Sequence, residues 1–132
     1  MEKSPPRQLG LHTVTQDGDL LFIILRGPLE LGEAQTFHGL VADALRQYGH
    51  AYVLADCSRG DSLSAETRRW IADWNRRHRI DGVAIFGANL FMRTMVTLVL
   101  NAIRLIGQRG VPAVLTKTEA EARAWLLSLR TP

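Results

Sequence analysis

The chain has 132 residues, of which 46% are hydrophobic and 22% charged, and this matches one globular domain with a packed core. Its 16 lysines and arginines against 13 aspartates and glutamates leave a net charge of +3, too small to indicate nucleic-acid binding. Cys57 is the single cysteine and cannot form an internal disulfide, and the first residues lack the apolar core of a signal peptide, so we expect a cytoplasmic protein. The most apolar stretch, residues 90–107, contains Arg93, Asn101 and Arg104, so it is not predicted to cross a membrane.

The first predicted elements are a tail and a hairpin. Residues 1–8 hold two prolines and three charges without periodicity, so we expect a flexible tail before a single domain over residues 9–132. Two strand-like runs then flank Asp17 and Gly18, a pair that favours a type I′ hairpin turn, in which both turn positions need a positive φ. The second run contains residues 20–25, which are apolar on both faces and predict a central strand.

Strand and helix patterns alternate through the rest of the chain. Pro112 cannot donate to a sheet ladder, so the strand that contains it is expected at an edge. The sequence predicts an α/β fold with a mostly parallel five-stranded sheet, an N-terminal β-hairpin and four helices. The predicted elements after the hairpin are a helix over 34–48, a strand over 51–56, a polar loop, a helix over 64–78, a strand over 83–86, a helix over 90–108, a strand over 111–115 and a helix after residue 118.

The order of these elements, the hairpin segment over residues 14–20 and the apolar strands over residues 52–56 and 83–87 resemble the SpoIIAA-like family. That family shares the STAS fold of anti-sigma-factor antagonists and is related in shape to the CRAL-TRIO lipid carriers. The resemblance covers residues 10–130. It implies a small bacterial protein that acts as a protein-interaction or regulatory module.

The resemblance also points to one loop. In STAS antagonists a serine within an Asp-Ser-Ser-Gly motif is phosphorylated at the start of the helix after the third strand. The corresponding stretch here reads Asp61, Ser62, Leu63 and Ser64. The resemblance therefore makes Asp56, Ser62 and Ser64 a candidate phosphorylation or ligand loop. The glycine and the serine pair of the motif are missing, so we expect no modification there.

The sequence shows no pattern that is typical of catalytic or metal-binding residues. The four histidines fall on four different elements without the paired spacing of metal ligands. Cys57 lacks the arginine that a phosphatase-type cysteine needs six positions later, where Leu63 stands, so a structural role is expected. Asp56, Asp61 and Asp81 lie near strand ends, where aspartates more often make turns than a catalytic pair. The sequence predicts no catalytic residue, no metal and no cofactor.

Arginines and tryptophans are interleaved on the predicted second helix, a combination found at nucleic-acid sites. On a helical wheel, however, Trp70 and Trp74 fall on the buried stripe, so neither is expected to stack on bases. Asp73 lies four residues from both Arg69 and Arg77 and is expected to pair with them. We therefore expect a solvated, salt-bridged face and no nucleic-acid partner.

The predicted third helix is more apolar than a helix lying on a sheet needs to be. Its polar side chains fall within an arc of about 100°, so about half of its circumference is left without an intramolecular explanation. Three coverings stay open: neighbouring helices of the same chain, a second subunit, or a lipid-like or membrane-surface contact. The candidate interface residues are Met92, Met95, Val96, Val99, Ile103 and Ile106.

The leading hypothesis from the sequence is a non-enzymatic STAS-like interaction module that forms a homodimer or larger homo-oligomer through the third helix. The alternative is a carrier of an apolar or lipid-like ligand, which the same helix and the likeness to CRAL-TRIO proteins suggest. An enzyme that acts on a small anionic substrate at the carboxyl ends of the strands ranks third.

Overall fold

The structure, a computed structural model, describes residues 4–106 and 111–130, except for the side chains of residues 104–106. The predicted end of the third helix, at residues 107–110, lies outside the described residues. The elements in chain order are β1 Arg7–Leu9, β2 His12–Asp17, β3 Leu20–Leu29, α1 Leu31–Tyr48, β4 Tyr52–Leu63, α2 Ala65–Arg77, β5 Gly82–Phe86, α3 Leu90–Ile106, β6 Ala113–Thr116 and α4 Glu119–Arg130.

One sheet with the strand order β1-β2-β3-β4-β5-β6 forms the centre of the described chain. The pairs β1–β2 and β2–β3 are antiparallel, and the pairs β3–β4, β4–β5 and β5–β6 are parallel. The predicted α/β class, with a mostly parallel sheet, an N-terminal hairpin and four helices, is confirmed. β3 lies between β2 and β4, and β6 lies at an edge of the sheet, as predicted, although β6 begins at Ala113 and Pro112 lies just before it.

The sheet has six strands, and not the predicted five, because a short strand precedes the hairpin. Arg7 and Gln8, which were assigned to the tail, pair with Val14 and Thr13 of β2. β1 is three residues long and its side chains are mostly exposed, so it carries no alternating hydrophobic pattern that the sequence analysis could detect.

The hairpin turn differs in type from the prediction. Asp17 pairs with Leu20, so the two turn residues are Gly18 and Asp19. The backbone φ is +62° at Gly18, while none of the non-glycine residues described has a positive φ. A positive φ at the first turn position alone is the pattern of a type II′ turn and not of type I′. The hairpin was predicted, but its turn was placed one residue too early.

β4 is twice as long as predicted, because the expected polar loop after residue 56 continues as strand. Beyond the pair Ile24–Asp56, the register with β3 resumes at Arg26–Arg59 and later at Leu29–Leu63. At each of the two shifts β4 advances by one residue more than β3, which is the geometry of a β-bulge. Bulges break the two-residue alternation of buried and exposed side chains, so this polar segment resembled a loop in the sequence.

The helices cover the two faces of the sheet unequally. Helices α1, α2 and α3 are right-handed crossovers between successive parallel strands and therefore lie on the same face. On that face, Leu21 and Ile23 of β3 pack with Val41 of α1 in the main core. Helix α4 covers part of the opposite face, where Leu126 packs with Leu54 of β4.

Helix α3 is covered mainly by its own chain. Four of the predicted interface residues, Met92, Val96, Val99 and Ile103, are only 1%, 8%, 8% and 2% exposed. Met92 and Val96 belong to the main core on the sheet, whereas Val99 and Ile103 pack with Ala72 of α2. Neighbouring elements of the same chain, α2 and the sheet, therefore cover these four residues, which is one of the three coverings that the sequence left open, and a subunit interface through α3 stays a prediction.

The other two predicted interface residues are not among the buried residues of the described core. Met95 is half-buried, and Ile106 lies outside the residues whose side chains are described. Among the described side chains of α3, the large apolar residues that remain exposed are Leu90, Phe91 and Leu98. None of the helices in the described chain is long and apolar enough to span a membrane.

Candidate functional site

The candidate loop of the sequence analysis lies at the carboxyl ends of the parallel strands. Asp56 is half-buried, and one of its carboxylate oxygens accepts hydrogen bonds from the Ser58 backbone N–H at 2.9 Å and the Ser58 hydroxyl at 2.6 Å. These bonds hold the chain where the first bulge of β4 begins, after the pair Ile24–Asp56. The position of Asp56 therefore has a structural explanation, as an aspartate that bonds its own backbone two residues later.

Ser64 is the N-cap of helix α2. Its hydroxyl oxygen accepts from the Thr67 backbone N–H at 3.1 Å, and the hydroxyl donates to the Thr67 side chain at 3.0 Å. One turn later, Arg68 donates to the Leu63 carbonyl at 2.5 Å and contacts the Met95 sulfur at 3.1 Å. The cap thus joins the end of β4 to the start of α2, and the arginine ties this junction to α3.

The three residues of the candidate loop do not form one cluster. The side-chain hydrogen bonds of Asp56 go to Ser58 and those of Ser64 go to Thr67, and the described side chains show no bond between Asp56, Ser62 and Ser64. Ser62 is half-buried and Ser64 is exposed. A kinase could therefore reach Ser64 more readily than Ser62.

The first turn of α3 lies beside this segment. A side chain added at Gly60 would meet the Met92 terminal methyl at 3.3 Å, and one added at Gly87 would meet Ser58 at 3.0 Å. Asn89 accepts from the Met92 backbone N–H at 2.9 Å and so caps the start of α3. The two glycines therefore allow β4, the end of β5 and α3 to approach closely.

This approach creates a surface that the sequence analysis missed. Leu90 and Phe91 are 80% and 54% exposed in the first turn of α3, the turn whose Met92 lies against Gly60 of β4. We call the exposed residues here the carboxyl-end surface, and they are Ser58, Arg59, Asp61, Ser64, Leu90 and Phe91. The missed signal was the position of Leu90 directly after the cap residue Asn89, two residues before Met92, the first buried residue of α3.

Cys57 and the histidines have structural surroundings. Burial, with a smaller effect of the Asp56 charge, raises the pKa of the Cys57 thiol to about 12, so the thiol is protonated and unreactive near neutral pH. His12 accepts from the Arg26 backbone N–H at 2.9 Å, and His78 hydrogen bonds to the Trp74 carbonyl. Within the described residues no three His, Cys, Asp or Glu side chains are grouped as metal ligands would be.

The arginine-rich helix α2 differs in one detail from its prediction. Trp74 is buried and Trp70 half-buried, so the expected inward orientation is confirmed. Asp73, however, pairs with Arg76 and not with the predicted Arg69 and Arg77. Arg76 also donates to the Ala102 carbonyl of α3 at 3.2 Å, which fixes its guanidinium beside Asp73.

The structure also contains an apolar cavity. A space of about 140 Å³ lies between the sheet and helices α1, α2 and α3. Its walls include Met92, Val96, Val99 and Ile103, the same residues that the sequence analysis assigned to a subunit interface. The polar side chains in the wall include His38 of α1.

The fold and the arrangement of its elements agree with known proteins. The family model described as SpoIIAA-like matches residues 20–127, so the chain belongs to the SpoIIAA-like family. A solved structure entitled "Structure of the Anti-Sigma Factor Antagonist SpoIIAA in its Unphosphorylated Form" superposes with a TM-score of 0.53 at 14% identity, covering 85% of this chain and 93% of that one. At this identity the likeness shows a shared fold. No curated protein matches the sequence.

Proposed function

We propose that the protein is a non-enzymatic regulatory module that binds a protein partner through the carboxyl-end surface. The observation that carries this proposal is the exposure of Leu90 and Phe91 beside the polar end of β4. Membership of the SpoIIAA-like family supports it, because the solved relative is named as an anti-sigma-factor antagonist, a protein that acts on another protein. The cytoplasmic location expected from the sequence remains part of this proposal.

The composition of the surface suits protein recognition. Protein interfaces combine a few large apolar anchors with a polar rim, and aromatic residues and arginine are enriched in them. Here Leu90 and Phe91 are the apolar anchors, and Arg59, Asp61 and Ser64 are exposed polar neighbours on β4 and at the start of α2. Burying a leucine or phenylalanine fully is worth about 1.5 to 3 kcal/mol, so two such anchors could carry much of a micromolar affinity.

The test is to measure the affinity of the partner, identified by crosslinking in the native cell, for purified variants. We expect the double variant Leu90→Ser with Phe91→Ser to bind the partner at least tenfold more weakly, while Leu127→Ser binds as the unmodified protein does. Leu127 is a matched control, since it is also exposed, at 63%, but belongs to α4 on the other face of the sheet. Equal affinity of both variants would contradict the proposed surface.

A second copy of this chain is the partner that the sequence analysis expected. Of the described side chains of α3, Leu90, Phe91 and Leu98 are the large apolar ones exposed for self-association, because four of the six predicted interface residues are buried within the chain. Sedimentation should then show a dimer or larger species at high micromolar concentration, and Leu90→Ser with Phe91→Ser should sediment as a folded monomer. A monomeric unmodified protein would exclude self-association and leave a different protein as the partner.

The second candidate function is that of a carrier for an apolar ligand. The 140 Å³ cavity favours it, because an apolar cavity of similar size can bind a benzene-sized molecule. Titration with toluene, followed by backbone amide NMR, tests this candidate. Saturable shifts confined to residues around the cavity support it, and unchanged spectra at millimolar toluene contradict it.

A further inference from the structure

We propose that the cavity is a binding site for a small, mostly apolar molecule that carries one hydrogen-bond donor, such as a phenol, and that His38 receives this donor. This inference rests on the second candidate function and adds the chemical class of the ligand. It begins from the polar ring of His38 in the wall of a mostly apolar space.

The cavity walls set the size and the apolar character of the ligand. Ile23, Val53 and Ile85 line it from the sheet, and Val96 and Ile103 line it from α3. A space of about 140 Å³ holds one ring of six atoms with a small substituent, and a lipid chain would not fit without expansion. A ligand of this size would bury its ring against branched aliphatic side chains on two sides.

The hydrogen bonding of His38 determines which kind of polar group the cavity can accept. The residue is only 7% exposed, and its Nδ1 lies 2.7 Å from the Ala34 carbonyl oxygen. A carbonyl oxygen can only accept, so Nδ1 must carry the proton. In a neutral imidazole the other nitrogen, Nε2, is then an acceptor. Burial lowers the pKa of His38 to about 4, which keeps the ring neutral near pH 7.

Neighbouring rings hold His38 in this orientation. Trp70 and Trp74 contact its ring edge-to-face, with centroids 5.3 and 4.8 Å away, and Phe37 does so at 5.7 Å. No hydrogen bond to Nε2 is found among the described residues. The ring is held in place with Nδ1 bonded and Nε2 without a hydrogen bond. This arrangement suits a ligand that donates a hydrogen bond to Nε2.

A second polar group of the wall has no such preference. Asn75 of α2 lines the cavity, and its side-chain amide N–H donates to the Ile71 carbonyl at 2.8 Å. That bond uses one of the two amide donors and leaves the second N–H and the oxygen, so Asn75 can meet a donor or an acceptor. The preference for a ligand that donates a hydrogen bond therefore rests on His38.

The test compares phenol with toluene, which have similar shape but differ in the donor. We expect both to produce saturable amide shifts around the cavity, with phenol binding at least as tightly as toluene although water solvates phenol better. His38→Leu should weaken the binding of phenol at least tenfold, the loss expected for one hydrogen bond in a dry site. It should leave the affinity for toluene within about twofold. Ala55→Ile, which fills the cavity from β4, should abolish binding of both probes while the spectrum stays folded.

The outcomes separate the two levels of the proposal. If toluene binds but phenol binds more weakly to the unmodified protein, the donor preference is refuted and the apolar carrier stands. If neither probe binds at millimolar concentration, or if Ala55→Ile still binds both, the cavity is not a ligand site. The comparison of the two probes on the unmodified protein needs no variant, so it holds even where His38→Leu fails to fold.

Discussion

Two adjacent residues of α3 offer a sharp test of how this helix is covered. Val99 is 8% exposed and packs with Ala72 and Ile103, whereas Leu98 is 51% exposed. Val99→Glu removes a buried apolar side chain, at about 2 kcal/mol, and places a carboxylate where it has no partner, at a further few kcal/mol. The sum, roughly 4 kcal/mol or more, is comparable with the whole stability of a domain of this size, about 5 to 15 kcal/mol.

Urea unfolding followed by far-ultraviolet circular dichroism measures the difference. Leu98→Glu should unfold within about 0.5 kcal/mol of the unmodified protein, because substitutions at exposed positions usually have small effects. Val99→Glu should be mostly unfolded without denaturant or have a much lower midpoint. If Val99→Glu were a folded monomer with an unchanged midpoint, the assignment of Val99 to the core would be wrong, and a subunit interface at this position would return.

Three further predictions concern an ion pair and a cap. The side chain of Asp19 is completely buried and accepts hydrogen bonds from Arg130 at 2.9 and 2.5 Å. Arg130→Ala should therefore lower the unfolding free energy by about 2 to 3 kcal/mol in a urea titration. Arg46→Ala, which removes an exposed ion pair, should change it by less than about 0.5 kcal/mol in the same titration. Burial alone would raise the pKa of the Asp19 carboxyl, but the hydrogen bonds and charges of Arg130 and His50 lower this pKa below 3.8. The ion pair's contribution to the unfolding free energy is therefore full above about pH 4 and is lost as the pH falls through the lowered pKa. Unfolding curves from pH 7 to 2 should show the unmodified protein and Arg130→Ala converging in stability. Ser64→Ala should lower the unfolding free energy by about 1 kcal/mol, because it removes the N-cap of α2. Mass spectrometry of the protein from its native cell should find no phosphate on Ser64, and a stoichiometric phosphoserine at this position would contradict that prediction.

The sequence predicted those parts of the fold that depend on local signals. The end of α1 at Gly49 follows from a glycine after a helical stripe, and its φ of +82° is the left-handed cap that this implies. Thr118 and Glu121 have the three-residue spacing of a capping box, and they form one at the start of α4, with reciprocal bonds of 3.2 Å. Pro112 correctly placed the last strand at the edge. Each of these depends on residues within a few positions of one another.

Features that depend on distant parts of the chain were missed or misread. The bulged half of β4 is a strand because it pairs with β3, more than 30 residues earlier, and its own polar side chains give no sign of this. The sequence analysis overestimated how much apolar surface of α3 the rest of the chain leaves uncovered. The reason is that the contact with Ala72 of α2 cannot be predicted from periodicity. His38 is one of the buried residues of α1, but its position in a cavity wall depends on three helices and the sheet together.

The central claim, that the carboxyl-end surface binds a protein partner, is tested most directly by crosslinking in the native cell. A photoreactive amino acid at position 91 should yield a discrete crosslinked protein, either another copy of the chain or a different protein. The same group at position 127, which is similarly exposed on α4, should not crosslink to that protein. An absence of crosslinks from position 91, or the same crosslinked protein from both positions, would contradict the claim.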